Sequence, residues 1–463
     1  MNDSALYADF AGVVSSAPAR RQLKAWVALA VSSLALAGVF ALLLALSRIP
    51  GVEGVFPWPL DFFHKGLVIH VAFSFVVWFL AVFGGLLHLA CLKASGGAPR
   101  LDFLGEAATW GVAVSCVLLL VPALMDRGEA SLNNYVPVII DPLYYAGVAI
   151  LALSMGSAAV RLLANLSGRA EPLGAVCTGM ACAAAIYLLA LVCGGLALWF
   201  LRGAEASHAF NEELFWGAGH VLQFVNTALL VTAWFILGRF ALGEKSVADG
   251  AYRIAAPLLV LSALPAAAFY FMYEAFSADQ MMAFTNLQYA LAPPALLVAG
   301  GVAFSLRGAP IKWSDKLKDP AFLALALSFL TFGAGGVLGL FVDGADTRTP
   351  AHYHGVIAGV NLAFMGLFYC LFLPLLGRAA IQGKALRAQF YLFGGGQLFA
   401  STGLFLAGGY GAPRKTAGAA QGLENLGAAV GMYMNGAGAL VAVIGGVMFI
   451  WTVAAALLRK PAQ

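Results

Sequence analysis

Charged residues are scarce in this chain. Lys, Arg, Asp and Glu together make up 10% of its 463 residues, whereas 62% of the residues are hydrophobic. Soluble globular proteins carry about 25% charged residues, so this composition excludes that class. The net charge of +4 is accounted for by loop residues, and we therefore expect no nucleic-acid partner.

Cysteine motifs and a cleavable signal are also missing. The six cysteines form no CxxC, no CxxCH and no cysteine-rich loop, and they fall in or beside apolar segments: Cys91, Cys116, Cys177, Cys182, Cys193 and Cys370. They are typical of small core residues. The first apolar segment follows a polar stretch, residues 1–24, and is itself long enough to cross a membrane, so we expect it to be retained.

Long apolar segments are abundant instead. Twelve of them are long enough to cross a hydrocarbon core of about 30 Å, and they begin near residues 25, 66, 107, 138, 173, 214, 252, 281, 319, 351, 387 and 431. The sequence therefore predicts an all-α polytopic membrane protein with twelve transmembrane helices. Its predicted parts are a cytoplasmic N-terminal segment (1–24), a single twelve-helix membrane domain (25–459) and a short cytoplasmic tail (460–463).

The basic residues predict the orientation. When the N-terminus is placed in the cytoplasm, most of the 26 Lys and Arg residues fall in cytoplasmic loops. The positive-inside rule then predicts that both termini are cytoplasmic, in a bacterial inner membrane.

Four of the seven histidines lie at the predicted outer ends of helices 2, 6 and 10, within their first two turns: His70, His220, His352 and His354. Intramembrane histidines are rare and usually functional. A single one is as well explained by a hydrogen bond to a backbone carbonyl, but four at one depth favour a binding site. His64 and His208 are predicted in outer loops, and His88 near the inner end of helix 2, so we assign none of these three to a metal.

His352 and His354 point to opposite faces of helix 10, because successive helical residues are about 100° apart. Two imidazoles that face apart do not readily share one metal, but each can ligate a separate planar cofactor. A heme with two histidine ligands is low-spin, and a heme with one has an open face. The simplest arrangement is His70 with His354 on one heme and His352 on a second.

The motifs around these histidines resemble those of heme-copper oxidase catalytic subunits, the family of cytochrome c oxidase subunit I that also contains nitric oxide reductases. Thr349-Pro350-Ala351-His352-Tyr353-His354 is similar to the helix-10 His-aromatic-His motif, whose first histidine ligates the high-spin heme. Phe215-Trp216-Gly217-Ala218-Gly219-His220 is similar to the helix-6 motif, whose histidine is one of three copper ligands. His70 matches the low-spin ligand of helix 2. The resemblance covers all twelve helices.

A turn between helices 11 and 12 extends the resemblance. Gly411-Ala412-Pro413-Arg414-Lys415 is similar to the family's Pro-Arg-Arg turn, whose cations hold heme propionates. The resemblance thus implies cofactor binding by Arg414 and Lys415, two cations suited to carboxylates.

The chain departs from the family in helix 7. Where the family has a His-His pair, this sequence reads Phe269-Tyr270-Phe271 after Pro265, and the alternative register falls on Thr285-Asn286. Copper needs about three strong ligands, so we expect a second metal to be missing and His220 to be a remnant of the site. An alternative is an oxygen-rich metal site that uses Gln223, Tyr273 and Glu274.

Tyr270 is the candidate catalytic phenol. Family oxidases often carry a tyrosine one turn after the helix-6 histidine, where this chain has Phe224. Tyr270 could supply that group from helix 7, but a core aromatic in a Phe-Tyr-Phe run explains it equally well.

Groups for proton and electron transfer are few. Helix 8 reads Ala290-Leu291-Ala292-Pro293-Pro294-Ala295 where many relatives carry a pathway lysine, so we expect no lysine channel and no pumping.

The chain has no c-type heme site and no cupredoxin domain, so we expect the donor to be another oxidase-like subunit, a soluble cytochrome or a cupredoxin. Acidic residues of the outer loops are a candidate docking surface, although solvated loop charge is the commoner explanation: Glu205, Glu212, Glu213, Asp343 and Asp346.

The resemblance implies a respiratory-chain oxidoreductase that reduces dioxygen with two hemes, for which we favour the b type. Three alternatives stay open. One is a nitric oxide reductase-like activity, and another is a diheme electron conduit or gas sensor without catalysis. The third is a twelve-helix transporter, against which the sequence shows no two-half symmetry.

Overall fold

The computed structural model describes residues 5–47, 60–167, 173–243, 249–307, 312–342, 344–378, 383–416 and 421–459. Within these residues the chain is almost entirely helical. Twelve helices are long and apolar enough to cross a membrane, which confirms the predicted fold class.

The twelve spans are Ala17–Leu44, Phe63–Ala94, Asp102–Leu124, Pro142–Leu166, Ala175–Phe200, His208–Leu242, Gly250–Met272, Ala278–Arg307, Pro320–Gly339, Arg348–Leu375, Lys384–Gly409 and Leu426–Leu458. We number them one to twelve in this order. Most predicted starts lie close to the observed ones. The first and sixth spans begin earlier than predicted, because their first turns are too polar to register as apolar sequence.

Four spans are not uniform α-helices. The second runs as Leu60–Val71, a π-helical segment Ala72–Val77, and Trp78–Ala94. The seventh is divided at Pro265 into Asp249–Ala263 and Pro265–Met272. The eighth has a 3-10 turn, Gln288–Leu291, between Ala278–Leu287 and Ala292–Arg307. The tenth runs as Arg348–Leu367, a π-helical segment Phe368–Phe372, and Leu373–Leu375.

Other elements are short or extend a span. The helix of the first span continues to Ser47, and short helices cover Ala5–Val13 and Trp313–Lys316. Between the third and fourth spans, strand Glu129–Ser131 pairs antiparallel with Val138–Ile140, so that Ser131 lies opposite Val138. We call residues 132–137, which join these strands, the hairpin loop.

Side-chain caps set the starts of several spans. The Ser207 hydroxyl accepts a hydrogen bond from the Phe210 amide at 3.1 Å, and the Asp141 carboxylate accepts one from the Leu143 amide at 2.8 Å. Such a cap satisfies an amide that the first turn leaves without a helical partner. The Ser207 cap makes His208 the first residue of the sixth helix.

The predicted placements of three histidines are therefore corrected. His64 and His208 lie in the first turns of helices and not in loops. His220 lies more than three turns into the sixth span and not within the first two, about 18 Å along the helix from His208 at 1.5 Å per residue.

The chain forms two compact units. The first comprises Met1–Ala37 and His64–Ala309, and the second comprises Gly38–Phe63 and Pro310–Gln463. In the first unit the fourth span packs on the second, third and fifth, and the sixth packs on the fifth, seventh and eighth. In the second unit the ninth, tenth and eleventh spans pack on one another, and the twelfth packs on the eleventh. The predicted boundaries at residues 24 and 459 remain predictions.

Candidate functional site

His70 lies just before the π-helical segment of the second span, in the first unit. Its Nδ1 lies 3.0 Å from the Ala37 carbonyl oxygen of the first span. A carbonyl oxygen only accepts hydrogen bonds, so Nδ1 carries the proton and the lone pair is on Nε2. Metal-binding histidines commonly use this arrangement, with one ring nitrogen donating to a carbonyl and the other available as a ligand.

His352 has the same arrangement in the second unit. Its Nδ1 lies 2.8 Å from the Gly335 carbonyl oxygen of the ninth span. The contact depends on close helix packing, because a Cβ at Gly335 would lie 2.4 Å from the Val356 amide nitrogen. A Cβ at Gly339 would lie 2.5 Å from the His352 Nδ1. Two glycines of the ninth span therefore shape the surroundings of His352.

His354 is half-buried, two residues further along the tenth span. Its ring lies 5.2 Å from the Tyr353 ring, centroid to centroid. The separation of two residues turns its side chain to the face of the helix opposite His352, as the sequence predicts.

The start of the tenth span holds the turn that carries Arg414 and Lys415. The Arg348 guanidinium binds the Asp346 carboxylate at 2.7 Å through one nitrogen and at 2.9 Å through Nε. Asp346 forms a β-bridge with Pro413, and the Thr347 amide donates to the Ala412 carbonyl at 3.0 Å. Both predicted propionate ligands are half-buried, and Lys415 has a left-handed φ of 61°.

Protein groups engage both ring nitrogens of His220. Nδ1 lies 2.6 Å from the Trp216 carbonyl oxygen, so it carries the proton. Nε2 then accepts the hydroxyl proton of Tyr135 at 2.9 Å. The ring is buried, with 1% exposure, among Tyr135, Trp216 and Phe284, at centroid distances of 4.5, 4.8 and 5.9 Å.

Tyr135 is a site residue that sequence reasoning missed. It lies in the hairpin loop, and burial raises the pKa of its phenol above the usual value, with the negative charge of Glu212 as a smaller cause. The phenol therefore stays protonated and donates. The only sequence signal is the polar pair Asn133-Asn134 before the tyrosine, which predicts a turn and says nothing of His220.

Tyr270 is buried in the second helix of the seventh span, with 3% exposure. Its hydroxyl lies where Gly217 leaves room, since a Cβ there would be 2.3 Å from the oxygen. It lines a small cavity with Glu213, Trp216, Gly217, Phe276, Gln280, Met281 and Phe284. The structure thus places Tyr270 next to the helix turn that precedes His220, and its catalytic role remains a prediction.

The predicted heme ligands and the predicted copper ligand differ in how well they fit these groups. His70 and His352 each donate Nδ1–H to a backbone carbonyl, the hydrogen bond that metal-binding histidines commonly make. The residues around His220 do not fit copper, because its Nε2 is bonded to Tyr135. In the part of the chain described here, no three His, Cys, Asp or Glu side chains are grouped to hold a metal ion.

The alternative copper ligands do not assemble at His220. Tyr273 and Glu274 are exposed, and so are Thr285 and Asn286 of the second register. The Gln223 amide instead donates to the Gly219 carbonyl at 3.4 Å.

His88 belongs to a separate polar cluster in the first unit. Its Nε2 contacts the Ala19 carbonyl at 3.0 Å, and its Nδ1 faces a small cavity that Gln22 and Arg161 also line. The Arg161 guanidinium binds Asp102 at 2.6 Å and Gln22 at 3.1 Å. We assign no metal to this cluster.

Comparisons with known proteins agree with the fold. The family model of cytochrome c and quinol oxidase polypeptide I matches residues 21–448. An uncharacterised protein of Aquifex aeolicus is 28% identical over 78% of this chain and 86% of its own length. An uncharacterised protein of Rickettsia prowazekii is 23% identical over 92% and 94% of the two chains.

A solved structure is also similar. A heme-copper terminal oxidase dimer, determined by cryo-electron microscopy, superposes with a TM-score of 0.80 and 16% identity. The match covers 97% of this chain and 85% of that one. At this identity the likeness establishes the fold of the chain.

Proposed function

Because the chain belongs to the cytochrome c and quinol oxidase polypeptide I family, we propose that it reduces dioxygen with electrons from an external donor. It is a multi-pass membrane oxidoreductase of the heme-dependent oxidase type. Heme, when bound, supplies the one-electron chemistry and a coordination position for a diatomic molecule. The residues of the chain bind and orient that group.

The observation that carries this proposal is the hydrogen bond from His352 Nδ1 to the Gly335 carbonyl. It fixes the ring orientation and the tautomer, and it makes Nε2 the more basic nitrogen. We propose that His352 would hold the high-spin heme. Held by one histidine, that heme would supply a binding position for dioxygen.

His70 is the proposed ligand of the low-spin heme, supported by its bond to the Ala37 carbonyl. By the helix-10 motif, we propose His354 as the second ligand of that heme. Arg414 and Lys415 would hold propionates, since their turn is fixed at the start of the tenth span. We favour b-type hemes.

A second candidate function is favoured by the surroundings of His220. A diheme electron conduit or a gas sensor needs no second metal, and His220 is engaged by Tyr135. Turnover with nitric oxide is a further alternative within the same family. Oxygen consumption separates the proposed oxidase from both alternatives, and nitric oxide consumption separates the reductase from the conduit or sensor.

The donor would be another oxidase-like subunit, a soluble cytochrome or a cupredoxin. Of the predicted acidic docking residues, Glu212 accepts hydrogen bonds from Asn134 and Asp346 pairs with Arg348. Asp343 lies outside the described residues. Docking on this set is therefore proposed for Glu205 and Glu213. We place the protein in a bacterial inner membrane with both termini in the cytoplasm.

Spectroscopy of purified protein with a His352→Ala variant tests the proposal. We expect two hemes per chain in the wild type by pyridine hemochrome, and oxygen consumption with a chemically reduced donor. The variant should keep the low-spin heme and lose the high-spin heme together with oxygen consumption. His64→Ala, which alters an exposed histidine, is the matched control and should keep both hemes. A wild type without heme would refute the proposal, and hemes without oxygen consumption would favour the conduit or sensor.

A further inference from the structure

His220 and Tyr135 form a closed polar pair inside the first unit. Trp216 accepts the Nδ1 proton, and Tyr135 donates to the Nε2 lone pair. A neutral imidazole has one donor and one acceptor, so these two bonds use its full capacity. A metal ion could bind His220 only by displacing the phenol.

The hairpin loop is fixed in the position that the pair requires. The Glu212 carboxylate accepts from the Asn134 amide nitrogen at 3.1 Å and also from the Asn134 side chain. The Asn133 side chain accepts from the Val136 amide at 3.1 Å, and the Tyr144 hydroxyl donates to the Pro137 carbonyl at 3.0 Å. Residues on both sides of Tyr135 are thus bonded to the sixth span, the fourth span or the loop itself.

The sixth span is shaped to receive the tyrosine ring. A Cβ at Gly219 would lie 2.3 Å from Cβ and 2.4 Å from Cγ of Tyr135. Only glycine therefore allows the loop to approach the helix this closely. The Gln288 side chain donates to the His220 carbonyl oxygen at 3.1 Å, which ties the eighth span to the same turn.

The two other rings that are described in contact with His220 offer no metal ligands. Trp216 and Phe284 pack on its ring, and neither has a lone pair that binds copper strongly. One imidazole and one neutral phenol fall short of the three strong ligands that a copper ion needs.

We propose that Tyr135 occupies the coordination position of His220, so that the pocket contains a metal-free tyrosine–histidine pair where the family carries copper. This proposal rests on the proposed function, because the expectation of a copper ion comes from the family. Any catalytic turnover would then take place at a heme that has no second metal beside it. Tyr135 is a positioning residue, which holds the His220 ring in one orientation.

Metal analysis of purified wild type tests this inference. The protein is incubated with copper(II), desalted, and measured for copper by mass spectrometry and for heme by pyridine hemochrome in the same sample. We expect hemes and far less than one copper per chain. Copper retained equally by His220→Ala would lie elsewhere and supports the inference. One copper per chain that is lost in His220→Ala overturns it.

A double-mutant cycle supplies an independent readout. Tyr135→Phe and His220→Gln are compared singly and together by thermal melting in detergent. If the side chains bond each other, the melting shift of the double variant is smaller than the sum of the single shifts. Additive shifts would overturn the pair. Tyr145→Phe, which breaks a hydrogen bond to Asn211 at 2.8 Å, is the matched control and should add to the His220→Gln shift.

These measurements can refute either proposal without refuting the other. A protein without heme and without copper refutes the proposed function and leaves the pair intact. A protein with hemes and a copper that depends on His220 refutes the pair and leaves the proposed function intact.

Discussion

Hydrogen-bond partners separate the histidines of this chain into two kinds. The Nδ1 atoms of His70 and His352 each donate a hydrogen bond to a carbonyl of a neighbouring span. In His220, Nδ1 donates to a carbonyl of its own helix and Nε2 accepts from a phenol. The first kind makes the hydrogen bond that metal-binding histidines commonly make, and the second has both ring nitrogens bonded to protein groups.

Sequence reasoning singled out His70, His220, His352 and His354, because a polar imidazole is conspicuous in an apolar segment. Their roles as ligands remain predictions. Sequence reasoning did not identify Tyr135, since a tyrosine in a short polar loop has no periodicity or motif that relates it to a helix 85 residues later. A sequence pattern does not reveal a contact between a loop and a helix that lies far away in the sequence.

At the residue scale, we predict that His70→Ala removes the low-spin heme. The variant should lose the sharp α band of the reduced spectrum and keep the high-spin heme, because one axial imidazole is deleted. The loss of the bond to Ala37 costs only about 1 kcal/mol, so the protein should still purify in detergent.

His64→Ala serves as control for this variant as well, since it removes an imidazole from an earlier turn of the same helix. Persistence of the α band in His70→Ala would show that another residue ligates that heme.

At the scale of elements, apolar length predicted the number of spans and most of their starts. It did not predict the interruptions, apart from the break that Pro265 allows. The π-helical segments of the second and tenth spans carry no proline or glycine: Ala72–Val77 and Phe368–Phe372. Pro374 closely follows the second segment and removes a helical hydrogen bond to the preceding turn, so the sequence does mark that interruption. The first segment has no such marker.

The ninth and tenth spans are in backbone contact through glycine, and this contact sets the position of His352. We predict that Gly335→Ala separates the two helices, because the added Cβ would meet the Val356 amide nitrogen at 2.4 Å. Overpacking of this kind costs about 1–3 kcal/mol. The variant should melt at a lower temperature and show an altered or lost high-spin heme spectrum.

Gly336→Ala is the matched control, since a Cβ at that position has no atom within 4 Å. It changes the helix propensity in the same way and should keep the wild-type melting temperature and spectrum. Equal effects of the two substitutions would contradict the packing argument.

At the scale of the whole molecule, composition alone was sufficient to predict a multi-pass membrane protein. Most of the chain lies in twelve apolar helices, so hydrophobic length dominates every other signal. The division into two compact units was not predicted, because it depends on which helices pack together and not on their sequence order.

The orientation is testable with fusions. We predict that green fluorescent protein at the C-terminus fluoresces and that alkaline phosphatase there is inactive, because the excess of Lys and Arg lies in loops on the side of the termini. Fusions after Gly203, between the fifth and sixth spans, should behave in the opposite way. Fluorescence after Gly203 would reverse the assignment.

The bond between Tyr135 and His220 has a consequence for biogenesis. The ribosome makes Tyr135 85 residues before His220, so the hairpin loop has been synthesised when the sixth helix enters the membrane. The proposed partner of the histidine is therefore already present in the chain when the helix is made. We predict that heme content and folding of the protein do not change when cells are grown without copper.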